Sequence, residues 1–461
     1  MNEMLIKNGT AVFEDDVRKA DILVKNEKIA AIYAPGEAPK AENTLDVSGL
    51  YIMPGAIDPH MHLGLYSSMA DSYKYDSQRE LIGGLTTMID YHRGKGNYFE
   101  TTAEEIKDAS ESSYVDFALS LGLCAKKHLV ELPDYIRKMG ITSFKFFFDK
   151  QDIVHTFYDI PKEEALTLDK ADLYHCLKQL AEIDPKCVLC VHCEDPDMFR
   201  AFLRDVKEKN PNSKSVADWD AARPDFVESN CVASSMLING EVGGNMYVVH
   251  TSAKKSVDVY NALIDAVPCG QVTLETCPQY LLLDKDTATM DAKVNPALHA
   301  KEDNEALWEG IRNGSIKTIG TDNVPVNRSK KYEKGDILWD VWVGFGTSGI
   351  AMPALISEGY HKRGISLPRL SQVLSINTAR VFNLPDKGEM KVGYDADFAI
   401  IDLDWERIID KDLFGFTDFS IYEGIAFKGW PRYTISRGDI MQKDGLVVGK
   451  PGHGKYLFRT L

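Results

Sequence analysis

Eight short apolar runs, each followed by a stretch with helical spacing, occupy the middle of this chain and restrict its fold more than any other feature. The runs end near His62, Tyr91, Leu123, Phe148, His192, His250, Cys277 and Asp322. Stretches between them, such as K-A-D-L-Y-H-C-L-K-Q-L-A-E-I, have the periodicity of amphipathic helices. Strands that alternate with helices predict a parallel sheet. Eight such strands predict a (β/α)8 TIM barrel, whose active site lies at the carboxyl ends of the strands.

The two ends of the chain have a different sequence pattern from the middle. Short strand-like runs separated by Gly, Asn and Asp occupy the first part of the chain and return near its end. Because chain termini often lie close together, this pattern predicts a small β-sandwich domain built from both ends. We expect residues 1–53 and 390–447 to form the sandwich, 54–389 the barrel, and 448–461 a C-terminal tail.

The composition argues against several partners. A formal net charge of −16 disfavours nucleic acid and anionic membranes, since phosphate binding requires a basic face. No uninterrupted apolar window of about 18 residues is present, so we expect no transmembrane helix, and no signal-peptide pattern is visible. Most of the eight cysteines lie in or beside predicted core strands. Free buried thiols are typical of a reducing compartment, which predicts a cytoplasmic protein.

Groups able to bind a metal ion follow five of the eight predicted strands. They stand in D-P-H-M-H (58–62), F-K-F-F-F (144–148), V-H-C-E-D (191–195), V-V-H-T-S (248–252) and G-T-D-N (320–323). Because the strand ends of a barrel meet on one face, we expect six side chains to converge there. These are His60, His62, Lys145, His192, His250 and Asp322. Imidazole and carboxylate bind zinc and other divalent metals, so the pattern predicts a hydrolytic metal centre.

The local context of these residues supports different roles. His60 and His62 are one residue apart, so in an extended strand both side chains point to one face and can bind one ion. Asp322 can both bind a metal and shuttle a proton, the two tasks that hydrolysis requires. Lys145 lies in an aromatic run, and two interpretations of it stay open. Its ammonium reaches solvent, or burial favours the neutral amine, which can add carbon dioxide to form a carbamate that bridges two cations.

Beyond these runs, the sequence resembles the cyclic amidohydrolases, which include dihydropyrimidinase, hydantoinase, allantoinase and dihydroorotase. The resemblance covers nearly the whole chain and includes P-G-A-I-D-P-H, G-G-L-T-T-M-I-D, L-E-T-C-P-Q-Y-L-L-L, K-V-N-P-A-L and I-N-T-A-R-V-F-N-L. The overall pattern is closest to dihydropyrimidinase and hydantoinase. The resemblance implies a metal-dependent hydrolase that opens the ring amide of a small cyclic amide or ureide. It also implies a homo-oligomer, either a dimer or a tetramer.

The same resemblance implies how the metal centre would work. The H-x-H pair and Asp322 would hold one divalent ion, and His192 and His250 would hold a second. N6-carboxylated Lys145 and a hydroxide would bridge the two ions, which are expected to be zinc, with manganese as the alternative. The hydroxide would attack the ring carbonyl, while Asp322 would take its proton and return it to the leaving nitrogen.

Several positions depart from the family pattern. Lys150 stands where hydantoinases and dihydropyrimidinases have a tyrosine that stabilises the oxyanion, and Asn323 stands where family members commonly have histidine. Asn295 stands where hydantoinases have serine, and in this respect the sequence is more similar to dihydroorotases. Gly64, however, stands where dihydroorotases have the arginine that binds a substrate carboxylate. Lys150 can serve the oxyanion, pair with a charged substituent, or turn outward. An allantoinase-type, dihydroorotase-type or other cyclic imide substrate therefore remains an alternative.

The loop after the H-x-H pair is rich in aromatic residues. In hydantoinases the corresponding loop shapes the pocket, so Tyr66 is a candidate substrate-binding residue; packing against a neighbouring subunit is the alternative for the loop. Asn295, which stands in N-P-A-L-H at the position of a hydantoinase serine, is the second candidate. Two other functions compete with the binuclear hydrolase. One is a non-catalytic scaffold like the collapsin response mediator proteins, which lack the metal ligands, and the other is a mononuclear deaminase, which needs no bridging lysine. The presence of all six ligand-type residues, Lys145 included, favours the hydrolase.

Overall fold

The structure is a computed structural model that describes residues 3–94, 96–148, 160–267, 270–410 and 417–461. Its strands are β1 (Glu3–Val12), β2 (Val17–Lys25), β3 (Lys28–Tyr33), β4 (Asn43–Asp46), β5 (Tyr51–Pro54), β6 (Ala56–Met61), β7 (Leu85–His92), β8 (Asp116–Gly122), β9 (Ser143–Phe147), β10 (Val188–His192), β11 (Asn245–Val248), β12 (Gln271–Thr276), β13 (Ile316–Ile319), β14 (Phe398–Ile408), β15 (Ala426–Ser436), β16 (Asp439–Lys443) and β17 (Leu446–Val447).

Helices connect and cover these strands. The α-helices are Met69–Ile82, Tyr98–Ser112, Lys126–Met139, Lys170–Ile183, Pro196–Lys209, Val216–Ala222, Asp225–Val242, Lys254–Leu263, Pro278–Leu282, Lys301–Asn313, Arg328–Lys331, Ala351–Ala354, Leu367–Ser371 and Asn377–Val381. A 3-10 turn spans Met290–Ala292, and π-helical segments span Leu355–Lys362 and Gln372–Ile376. None of the described helices combines the length and the apolar character that a membrane-spanning segment requires.

Strands β6 to β13 form one sheet in which each strand pairs with the next along the chain, all in parallel. Every residue of β7 and β8 is buried, as expected of parallel strands covered on both faces. The helix Lys170–Ile183 spans the same residues as the predicted helical stretch. Each strand ends within three residues of its predicted position. The predicted eight-stranded α/β architecture is confirmed.

Main-chain contacts close the sheet between its first and last strands. The His62 N–H donates to the Asn323 carbonyl at 2.9 Å, and Met61 and Asn323 form a parallel bridge. The carboxylate of Asp58 on β6 accepts the Thr321 N–H at 3.0 Å and the His60 N–H at 3.0 Å. Asp58 therefore fastens the end of β13 to the end of β6, so that the residues after both strands lie together.

Strands from the two chain ends form a second, mixed sheet in the order β17-β16-β15-β14-β5-β1-β2-β3, with β4 paired to β1. The antiparallel pairing of β5 with β14 joins the two ends and aligns Ile52 with Ile400. Both side chains belong to a buried apolar cluster that also includes Ile6, Ile22 and Phe398. The predicted association of the chain ends outside the barrel is confirmed.

A buried ion cluster joins the amino end of the barrel to the terminal sheet. The Lys387 ammonium lies 2.5 Å from Asp116, 2.7 Å from Asp397 and 2.9 Å from Asp395, and Arg437 pairs with the other oxygen of Asp116. The three carboxylates are close enough to hold a metal ion, but the Lys387 ammonium already lies among them, and Arg437 supplies a second positive charge. Burial opposes the charge of Lys387, yet Asp397 and Asp116 raise its pKa above the usual value. The cluster is therefore a structural junction.

We expect Lys387→Met to lower the free energy of unfolding by about 3–5 kcal/mol, because removing one partner of a buried ion pair leaves uncompensated charge. Urea denaturation followed by far-UV circular dichroism measures the effect. Lys254→Met is the matched control, since the Lys254–Asp258 pair is exposed on one helix and solvent screens it. Equal stability of the two variants would contradict a structural role for the junction.

Candidate metal centre and active site

A cavity of about 550 Å³ opens at the carboxyl ends of the barrel strands. Five of the six predicted metal-type side chains line it, namely His62, Lys145, His192, His250 and Asp322. The sixth, His60, is fully buried and lies against His62, with the ring centroids 4.9 Å apart. The predicted substrate-binding residues Tyr66 and Asn295 also line the cavity. Residues up to 262 positions apart in sequence thus share one site because their strands end on the same face.

One group of possible metal ligands consists of His60, His62 and Asp322. Their ligand atoms all lie within 4.8 Å of one another. The Asp322 carboxylate is 3.0 Å from His62 Nε2 and 3.4 Å from His60 Nε2. Two imidazole nitrogens and a carboxylate oxygen at this spacing form a donor set that suits a divalent transition metal.

A second pair of imidazoles adjoins this group. His192 Nδ1 and His250 Nε2 are 2.8 Å apart, and the His250 ring stacks on the His60 ring with the centroids 5.5 Å apart. His250 has a backbone φ of 44° and Asp322 one of 52°, the left-handed region that few non-glycine residues adopt. Backbone strain of this kind is concentrated at functional sites, and here it occurs at two candidate ligands that come two residues after β11 and three residues after β13.

Lys145, on β9, completes the set. Its Nζ is buried and has no hydrogen-bond partner among the described residues. The ammonium lies 5.1 Å from the centre of the Tyr91 ring. Burial lowers the pKa of Lys145, against the attraction of Asp322. Of the two interpretations that the sequence left open, the structure matches the buried amine rather than a lysine whose head reaches solvent.

Unpaired polar atoms indicate that this site is built for a ligand. Besides Lys145 Nζ, the buried atoms His60 Nε2 and His250 Nδ1 lack hydrogen-bond partners within the described ranges. Buried polar atoms are normally paired, so three orphans in one place require an explanation. Burial also lowers the pKa of both histidines well below the usual value. The rings are therefore neutral, which is the form that binds a metal. The residues present fit divalent metal ions.

Glu275 on β12 contacts His60 and His250 on the side away from the candidate metal position. Its carboxylate lies 2.8 Å from His60 Nδ1 and accepts the His250 N–H at 2.8 Å. The Tyr247 hydroxyl donates to its other oxygen at 2.8 Å. A carboxylate behind a metal-binding histidine fixes its tautomer and ring orientation, and here it leaves His60 Nε2 facing Asp322. Burial raises the pKa of Glu275 to about 7.

Asn323, the residue that departs from the family histidine, is fully buried and serves the fold. Its side-chain oxygen accepts the Thr347 N–H at 2.8 Å, and its amide donates to Asp76 at 3.1 Å. Both hydrogen bonds tie the segment after β13 to neighbouring elements. Asn323 is absent from the residues that line the cavity, so within the described structure it is a positioning residue.

The cavity walls are mostly apolar, with a few charged groups. Aromatic side chains on the wall are Tyr66, Tyr91, Phe147, Phe148, Phe199 and Trp342. Arg223 donates to Glu194 at 2.6 Å, and Glu194 lies 2.8 Å from His192 Nε2. Arg93 and Lys330 add two further cations to the wall. Apolar walls with a few convergent polar groups are typical of a small-molecule site.

The two predicted substrate-binding residues are held in different ways. The Asn295 side chain accepts a hydrogen bond from the Trp219 indole at 3.2 Å, which fixes its orientation at the wall. Tyr66 is half-buried, and the Lys330 ammonium lies 5.7 Å from its ring centre. Lys150, for which the sequence left several roles open, lies outside the described residues.

Sequence reasoning missed Arg93, Glu194, Arg223 and Glu275. Arg93 directly follows β7, Glu194 comes two residues after β10, and Glu275 is the second-last residue of β12. Their position at strand ends is the same signal that identified the six ligand-type residues. Arg223 lies between two helices, far from any strand end, and no local pattern marks it.

The fold and the site are those of a metal-dependent hydrolytic barrel enzyme. The model of the amidohydrolase family matches residues 51–441, and the chain belongs to this family. The L-hydantoinase of Paenarthrobacter aurescens is 30% identical over 478 residues, which cover 100% of this chain and 98% of that protein. The allantoinase of Rubrobacter xylanophilus is 30% identical over 458 residues, with 97% and 96% covered.

Solved structures agree with the sequence relatives. The crystal structure of dihydropyrimidinase from Brevibacillus agri has a TM-score of 0.89 at 26% identity and covers 100% of this chain and 99% of that chain. The structure of the L-hydantoinase (dihydropyrimidinase) from Arthrobacter aurescens has a TM-score of 0.88 at 28% identity, with 100% of both chains covered. The resemblance to the cyclic amidohydrolases is therefore confirmed.

We expect Glu275→Gln to weaken metal affinity by about 10- to 100-fold, because the amide holds His60 less firmly in the required tautomer. Competition with a chromogenic chelator measures the affinity. Tyr247→Phe is the matched control: it removes a hydrogen bond to Glu275 but leaves the carboxylate beside His60, and should have a much smaller effect. Unchanged affinity in Glu275→Gln would contradict the positioning role.

Proposed function

We propose that this protein is a metal-dependent hydrolase that opens the ring amide of a cyclic amide or ureide of the hydantoin or dihydropyrimidine type. The observation that carries the proposal is the convergence of His60, His62 and Asp322 with the His192–His250 pair beside buried Lys145. The relatives, which are hydantoinases, allantoinases and a dihydropyrimidinase, support hydrolysis of a cyclic amide. A small-molecule substrate also suits the size and apolar walls of the cavity.

In this proposal the residues divide into two metal-binding sets. His60, His62 and Asp322 would hold one divalent ion, and His192 and His250 would hold the other. We expect zinc, with manganese as the alternative, since both accept imidazole and carboxylate ligands. When bound, such ions lower the pKa of water and polarise a carbonyl oxygen.

Lys145 would join the two sets as an N6-carboxylated side chain. Its neutral amine would add carbon dioxide and lose one proton, which yields a carbamate with two oxygens. The buried, unpaired position of Nζ supports this modification, because an uncharged amine is favoured there and an ammonium without a partner would be costly.

Asp322 would be the group that moves the proton. Glu194, the other carboxylate on the described cavity wall, is already engaged by Arg223 and His192. Burial raises the pKa of Asp322, although His60 and Lys145 oppose the shift. A raised pKa makes the carboxylate a better proton acceptor near neutral pH. Asp322 would accept the proton of the attacking nucleophile and return it to the leaving ring nitrogen.

The finer properties follow from the family resemblance. We expect a cytoplasmic homo-oligomer, a dimer or a tetramer. An allantoinase-type or dihydroorotase-type ring is the second candidate substrate, and Asn295 at the cavity wall supports it. Asn295 and Tyr66 would contact the substrate, while a catalytic role for Lys150 stays a prediction from the sequence.

A hydrolysis screen tests the proposed function. Metal-loaded protein should open at least one ring among dihydrouracil, substituted hydantoins, allantoin and dihydroorotate, and chromatography of the ring-opened product measures the rate. Turnover of a ring with metal, and loss of turnover after chelation, would support the proposal. Hydrolysis of none of these rings by protein that carries its metal would contradict it.

Asp322→Asn is the matched variant for the screen, because it keeps the size of the side chain but removes the proton acceptor. Turnover should fall by at least about 10²–10⁴-fold, the contribution of a general acid–base group. Metal analysis of the same sample separates loss of the proton acceptor from loss of metal. A variant that keeps its metal and most of its rate would assign proton transfer to another group.

We expect purified protein to contain close to two divalent ions per chain and Lys145→Ala to lose both metal and activity. Short carboxylic acids should restore part of the activity, since they replace the carbamate oxygens. Elemental analysis and intact mass, which detects the added carbon dioxide in the wild type, check the prediction. Full activity of Lys145→Ala without an added acid would rule out the binuclear arrangement.

A further inference from the structure

Arg93 lies beside the candidate metal centre at the end of β7. Its guanidinium Nη1 is 2.6 Å from His62 Nδ1, and the half-buried side chain lines the cavity. Arginine keeps its charge in proteins. A permanent positive charge therefore lies in the cavity wall, next to the candidate metal ligands at which the ring amide would react.

Charge balance distinguishes Arg93 from the other cations of the wall. Arg223 is neutralised by Glu194 at 2.6 Å, and Lys330 donates to both carboxylate oxygens of Glu333 at 2.9 Å. Arg93 pairs with no carboxylate among the described residues; its hydrogen-bond partner is an imidazole. Its charge is thus available to a ligand.

The contact with His62 also depends on the state of that ring. A neutral imidazole carries one ring proton. If Nε2 binds a metal ion, the proton must reside on Nδ1, and two N–H donors would then face each other. Arg93 would lose its present acceptor in the metal-loaded protein, and its donors would need another partner.

The cavity around Arg93 indicates which kind of chemical group would be its partner. The cavity is lined mainly by apolar and aromatic side chains, where an anion is costly to bury unless it is paired. The planar guanidinium matches a carboxylate with two parallel hydrogen bonds. We infer that Arg93 binds a carboxylate substituent of the substrate, so that the preferred substrates are acidic cyclic amides. This inference rests on the proposed function and names the substrate class of the same site.

Hydantoin-5-acetic acid and hydantoin-5-acetamide form a matched pair of probes, since they have nearly the same shape and differ in charge. Metal-loaded wild type should have the higher kcat/KM for the acid. Arg93→Gln should lower the acid-to-amide ratio of kcat/KM by about 10- to 100-fold, the effect expected for a charge-assisted hydrogen bond. Arg93→Lys should keep part of the preference. The control Lys330→Gln removes a cation that Glu333 already neutralises, and its ratio should stay within about twofold of the wild type.

Product binding supplies a measurement independent of turnover. The ring-opened products, N-carbamoylaspartate and N-carbamoylasparagine, differ by the same carboxylate. Calorimetry on the metal-loaded protein should give a lower Kd for the aspartate product. In Arg93→Gln that advantage should shrink by about 10- to 100-fold, in line with the kinetic ratio.

An unchanged acid-to-amide ratio in Arg93→Gln would overturn the inference, as would a wild type without preference for the acid. Equal losses on both probes would also overturn it, because they would show that Arg93 acts through His62 alone. Failure of the proposed function has a different signature, namely no hydrolysis of any ring in the screen. Product binding would still decide the role of Arg93 in that case.

Discussion

Closure of the barrel between β6 and β13 is the constraint on which the site depends. The Asp58 carboxylate bonds the backbone at both His60 and Thr321, and the His62 N–H bonds the Asn323 carbonyl. These contacts place the side chains that follow the first and last strands within ligand distance of one another. Without this closure, Asp322 would not lie beside His60 and His62, which precede it by most of the barrel sequence.

A buried lysine lies at each end of the barrel, and the two differ in their partners. At the amino end, Lys387 sits among three carboxylates that satisfy it, so its charge holds the barrel to the terminal sheet. At the carboxyl end, Lys145 is buried with no hydrogen-bond partner among the described residues. Breaking a buried ion pair such as that of Lys387 is destabilising, whereas burial without a partner favours the neutral form of the Lys145 amine and leaves it free for a ligand or a chemical modification. This contrast separates structure from function within one chain.

Asn323 and Arg93 both contact the segments that carry the candidate metal ligands, but their side chains serve different purposes. Asn323 replaces a family histidine, but its hydrogen bonds to Thr347 and Asp76 turn it toward the fold, so the change affects how a loop is held. Arg93 instead brings a positive charge to the cavity wall, where it pairs with no carboxylate among the described residues. The Asn323 contacts support the fold, whereas the Arg93 charge carries our inference about which rings the centre accepts.

The sequence by itself determined the barrel, the pairing of the chain ends and the family, because strand periodicity and strand-end motifs are local patterns. It also singled out the six ligand-type side chains, since each stands within or just after a predicted barrel strand. Only the tertiary structure decided that Lys145 is buried without a partner among the described residues, that Glu275 stands behind His60, and that Arg93 contacts His62. These facts depend on distances between strands far apart in sequence, which no local pattern encodes.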